Sequence, residues 1–151
     1  MAAGFLAFIA NLAVLGPVPG ANAAGDLAAQ KPIVLTVELG DAKGALRFSP
    51  DTLRLETGKL YQLRLVNPSG VAHYFGSEKL AAAVYTRKVQ VNGADGKPRA
   101  EIKGHVREIE VFPGASAEWW FVPVKTGTLT DLRCTIAGHT EAGMVGRIVI
   151  E

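Results

Sequence analysis

The chain has 151 residues, with 48% hydrophobic and 20% charged residues, enough for one domain with a real core. Sixteen Lys and Arg stand against 14 Asp and Glu, a formal net charge of +2, and the basic residues are scattered. A nucleic-acid binder shows a clustered basic face and a disordered chain a low hydrophobic content, so both classes are excluded.

The first 23 residues differ from the rest. Ala2 to Leu15 is apolar except for Asn11, Gly16 to Gly20 carries two prolines, and Ala21-Asn22-Ala23 is a small-x-small cleavage pattern. The apolar run is shorter than the ~20 residues of a membrane span and has the length of a signal-peptide core. No Lys or Arg precedes it. Residues 1–23 are expected to be a cleaved export signal, and residues 24–151 a single periplasmic domain without a membrane span; the alternative is a retained segment acting as a weak membrane anchor.

Beyond Ala24 the chain reads as short strands between turns. Lys31 to Leu39 is a first strand, and Leu53 and Leu55 alternate with polar neighbours before Thr57-Gly58. Tyr61, Leu63 and Leu65 alternate with Gln62 and Arg64, one face inward and one outward. After the turn cluster Asn67-Pro68-Ser69-Gly70 comes a short strand, Val71 to Phe75. Ser77 to Tyr85 predicts a helix capped by Ser77. Asn92-Gly93 and Asp95-Gly96 mark a loop or hairpin.

Val106 to Phe112, Ala117 to Val124, Thr128 to Cys134 and Met144 to Ile150 are the remaining strands. In the third-last of these elements, alternation puts Trp119 and Phe121 on one face and Trp120 on the other, so at least one Trp belongs in the core. The expected fold is all-β, a Greek-key β-sandwich with one short helix in an insertion.

The chemistry gathers near the C-terminus. Cys134 is the single cysteine, and a lone Cys in an oxidising compartment is either buried and inert or committed to chemistry. His139 follows it by five residues and Met144 follows His139 by five. A soft thiolate and an imidazole on one tight loop suit copper, though zinc accepts both donors as well. Gly138 and Gly143 let the loop fold back on itself. A further strong ligand must come from elsewhere, and His73, at a strand start after a turn, is the better placed of the two other histidines. His105 reads as solvated. No nucleophile elbow, phosphate loop or dinucleotide fingerprint is present in the sequence.

These residues resemble the cupredoxins, the blue type 1 copper proteins. The C-x4-H-x4-M spacing is similar to the rusticyanin and auracyanin branch more than to plastocyanin, whose loop is shorter. Gly138-His139 through Gly143-Met144-Val145-Gly146 and on to Ile150 follows the family's run, and Phe48-Ser49-Pro50, Glu56-Thr57-Gly58 and Asn67-x5-His73 match its first half. The resemblance covers roughly residues 32–151 and is weakest over 76–105. It implies one copper ion cycling between Cu(I) and Cu(II), held by His73, Cys134 and His139 with Met144 as a weak axial ligand. Arg133, Ala137 and Tyr74 depart from the family, which often has an aromatic residue, a proline and a small polar residue at those places.

The implied function is electron transfer by a monomer that is not an enzyme. Its partner would be a cytochrome or an exported oxidase or reductase, docked on an apolar patch of Val71, Ala137, Gly138 and Ala142. The alternatives are copper sequestration or delivery, and a metal-free or zinc-binding module on the same fold.

Overall fold

The computed structural model describes residues 30–93 and 95–151. The expected signal segment lies outside the described residues. Among the described residues, eleven strands form two sheets. The first sheet contains β1 (Ile33–Leu39), β2 (Phe48–Ser49), β4 (Tyr61–Val66), β6 (Val84–Asn92), β7 (Pro98–Ile102) and β9 (Ser116–Pro123), in the order β2-β1-β4-β9-β6-β7. The second contains β3 (Thr52–Leu55), β5 (His73–Gly76), β8 (Glu108–Val111), β10 (Gly127–Arg133) and β11 (Val145–Ile150), in the order β3-β11-β10-β5-β8. The chain passes repeatedly from one sheet to the other, and two pairs, β1 with β4 and β3 with β11, run parallel. The other pairs are antiparallel.

The core lies between the sheets and follows the period-2 pattern. Leu63 and Leu65 of β4, Trp119 and Phe121 of β9, Leu132 of β10 and Ile148 of β11 are all buried. Trp119 meets Phe121 edge-on at 5.2 Å and gives its indole N–H to Thr86 Oγ1 at 3.1 Å, so its one polar atom is satisfied inside. Trp120 faces outward beneath Lys88, whose Nζ lies 5.1 Å from the ring centre. This is the division that alternation predicts.

The helix, α1 (Glu78–Ala83), is shorter than the sequence suggests. Ser77 caps it as expected, its side chain accepting from the Leu80 amide. Asp131 anchors the cap from β10 by accepting from Ser77 Oγ and the Lys79 amide. Val84 and Tyr85 instead begin β6, opposite Pro123 and Val122 of β9. Their branched and aromatic side chains suit a strand, and the amides of Val124 and Lys125 close the helix by donating to the Ala83 carbonyl.

The 76–105 insertion thus consists of α1 and a hairpin, β6–β7, that widens the first sheet at its edge. No helix among the described residues is long and apolar enough to cross a membrane.

Candidate metal centre

Three strand ends build the site. His73 opens β5, Cys134 directly follows β10, and the loop 134–144 returns to β11. The antiparallel partnership of Arg133 with Gly76 carries Cys134 past Phe75, so that the Tyr74 amide points at the Cys134 sulfur at 3.3 Å. The returning loop is tied at both ends. Cys134 N donates to the Met144 carbonyl, and Met144 N donates to the His139 carbonyl. Thr140 Oγ1 donates to the Cys134 carbonyl at 2.7 Å. Gly138 and Gly143 have φ of +83° and +99°, the left-handed backbone that such a return needs.

The side chains converge. His139 Nδ1 lies 3.3 Å from Cys134 Sγ and 3.3 Å from His73 Nδ1. The ligand atoms of His73, Cys134 and His139 all fall within 4.8 Å of one another. His73, Cys134 and Met144 are buried, and His139 is half-buried. Met144 is packed into the core, and its backbone is bonded to Cys134 and His139.

Behind His73 stands a second layer of polar groups. Ser69 Oγ is 2.9 Å from His73 Nε2 and 2.7 Å from Asn67 Oδ1, and Asn67 Nδ2 donates to the carbonyls of Val71 and Val111 at 2.7 Å each. Asn67, Ser69 and His73 are almost wholly buried, and no buried side-chain N or O among the described residues lacks a partner. Gly40 completes the wall. Its φ is +72°, and a Cβ there would stand 2.7 Å from His73 Nε2 and 3.0 Å from Ser69 Cβ. Burial first, then the neighbouring His139, hold the pKa of His73 below the ordinary histidine value. Its neutral, ligating form is therefore favoured.

Of the four residues singled out from the sequence, His73, Cys134 and His139 bring their donor atoms together at one end of the sandwich, and Met144 is buried in the core with backbone bonds to Cys134 and His139. His105 is exposed and lies apart from the cluster, as read. Two contributors were not legible. Ser69 was a turn residue without a role and Gly40 carried no signal, because what each does depends on a neighbour distant in sequence. The place where the family often ties the two loops with a small polar side chain is handled differently here. Tyr74 makes the tie with its backbone amide, while its phenol turns to Glu110, the first cause of its raised pKa. Val71, Ala137, Gly138 and Ala142 are exposed. Exposed Phe112 extends from the β8–β9 turn that Asn67 also holds.

The donor set fits a metal. Two imidazole nitrogens and one sulfur, close enough to bind one ion, match the ligand chemistry of type 1 copper. Solved structures share the frame. Auracyanin B superposes with a TM-score of 0.52 and 20% identity, over 81% of this chain and 91% of that one. The fold is that of the cupredoxins. A multicopper oxidase from Pediococcus acidilactici matches with a TM-score of 0.58 and 17% identity over 81% of this chain, but only 27% of the oxidase. In sequence the chain is 29% identical over 110 residues to a copper-resistant cuproprotein, CopI, from Rubrivivax gelatinosus. The match spans 70% of this chain and 60% of CopI. No family model matches the chain.

Proposed function

We propose that this cupredoxin-fold protein binds one copper ion through His73, Cys134 and His139, with Met144 as a weak axial ligand, and passes single electrons between exported redox partners. Bound copper supplies the one-electron Cu(I)/Cu(II) couple. The observation that carries the reading is the enclosure of the donor set: Cys134 and His73 are buried, and His139 alone reaches toward the surface.

A rigid set of ligands suits electron transfer, since little has to rearrange when the charge of the ion changes. The Tyr74 amide aimed at the sulfur favours the thiolate and holds its direction. The half-exposed edge of His139 gives the short path to a partner. Exposed Val71, Ala137, Gly138, Ala142 and Phe112 would supply apolar surface for a small, transient contact with a cytochrome or an exported oxidase or reductase. Residues 1–23 would direct the domain to the periplasm before removal.

The second reading is copper sequestration or delivery, and the likeness to a cuproprotein named for copper resistance favours it. Protein-film voltammetry with a chelator challenge separates the two. A reversible one-electron wave with metal loss over hours supports electron transfer. Transfer of Cu(I) to the chelator within seconds supports handling.

A further inference from the structure

We propose that Ser69 is the positioning residue of His73, fixing which ring nitrogen carries the proton through a chain of hydrogen bonds anchored on two backbone carbonyls. The inference deepens the reading of His73 as a metal ligand and rests on it for its consequence, but the proton assignment stands on hydrogen-bond direction alone.

The direction begins at Asn67. One polar end of its side chain lies 2.7 Å from the Val71 carbonyl and 2.7 Å from the Val111 carbonyl. Carbonyls only accept, so that end must be the NH2 group, and the other end is the oxygen. The Asn67 oxygen is in turn 2.9 Å from the Ser69 amide, which can only donate, and 2.7 Å from Ser69 Oγ. Two oxygens at that separation attract only with a proton between them, and an amide oxygen has none to give. The Ser69 hydroxyl proton therefore lies on the Asn67 side.

Ser69 Oγ has one proton and has now used it. It also stands 3.0 Å from the Val71 carbonyl, a further acceptor, so no other arrangement of that proton leaves the hydroxyl better satisfied. What remains to Oγ is to accept. The Val71 amide donates to it at 3.3 Å, and His73 Nε2, at 2.9 Å, must bring its own proton. The neutral ring of His73 is thereby the Nε2–H tautomer. Nδ1, the nitrogen 3.3 Å from His139 Nδ1, is left as a bare lone pair facing the donor cluster.

Ser69 thus does for His73 what an outer partner does for a metal-bound histidine, setting tautomer and ring angle before an ion arrives. Gly40 is the space that permits it, since a side chain there would occupy the Nε2 side of the ring.

The test uses the full chain, metal-free, labelled with 15N, and long-range 1H–15N correlation of the His73 ring. Wild type should show the Nε2–H tautomer with a slowly exchanging Nε2 proton. In Ser69→Ala, the Nδ1–H tautomer should become populated, and Cu(II) affinity by competition should fall about 10- to 100-fold. A dominant Nδ1–H tautomer in the wild type overturns the proposal without any variant having to fold. So does a folded Ser69→Ala with the wild-type tautomer and Cu(II) affinity within about twofold of the wild type. If the tautomer shifts as stated but wild type takes up no Cu(II), the role of Ser69 stands and the copper reading fails.

Discussion

His73 and His139 lie 66 positions apart in sequence, yet their Nδ1 atoms face each other at 3.3 Å, with the Cys134 sulfur also 3.3 Å from His139 Nδ1. Two polar ring atoms held this close inside a β-sandwich, with no side chain interposed, are arranged for something between them. The rings themselves are 5.1 Å apart and tilted by 54°, so the pair is not a stacking contact. Their surroundings are unequal, and the inequality is testable.

His139 is half-buried, whereas His73 is enclosed and backed by Ser69. His139→Ala is expected to abolish tight copper binding while changing the stability of the metal-free protein by about 1 kcal/mol or less. His73→Ala should abolish binding and also cost about 2–4 kcal/mol, from the cavity and from the lost hydrogen bond to Ser69. Urea unfolding of both metal-free variants checks the difference, and equal losses would contradict the enclosure of His73.

Two glycines separate site from scaffold. A Cβ at Gly146 would meet the Asp51 carbonyl and Leu132 Cδ2, both at 2.7 Å, so Gly146→Ala should cost about 1–3 kcal/mol of stability with copper affinity retained. Gly40→Ala places its Cβ against His73 Nε2 and should lower copper affinity about tenfold or more. Denaturant midpoints and chelator competition on the same two variants show whether the effects divide in this way.

The buried His73 also sets a pH dependence for the metal-free protein. Its folded pKa is lowered, so below the ordinary value of 6.5 the unfolded chain takes up a proton that the folded chain resists. The resulting stabilisation is present above that pH and is lost as pH falls through 6.5 toward the folded value. Unfolding midpoints between pH 8 and pH 5 should decline on the acid side, and the decline should be shallower in His73→Ala. An unchanged slope in that variant would assign the effect to other groups.

Much of this was legible in the sequence, for identifiable reasons. Strands such as Tyr61–Val66 and Ser116–Pro123 were readable because alternation is local, and so were the side chains that point inward. The Cys134, His139 and Met144 loop was readable because these three residues lie within one short segment. Of the insertion, only the helix cap at Ser77 and the hairpin turn at Asn92-Gly93 and Asp95-Gly96 were readable. Val84 and Tyr85 follow a run of good helix formers, and only pairing with Pro123 and Val122 draws them into β6. Pro98–Ile102 alternates Arg99 and Glu101 with apolar neighbours but is exposed along its whole length, so it buries no face and its strand state comes from its partner β6. The outer wall of His73 was hidden for the same reason: Ser69 and Gly40 acquire meaning only beside a ring that the fold brings to them.

The central claim is that Cys134, with the two histidines, holds copper as a thiolate ligand. Loading the purified protein with Cu(II) and recording visible absorption and EPR, with Cys134→Ser in parallel, tests it most directly. An intense thiolate-to-copper band in the wild type that vanishes in the variant is the predicted result. Correctly folded, zinc-free protein that takes up Cu(II) without such a band, or takes up none, would contradict it.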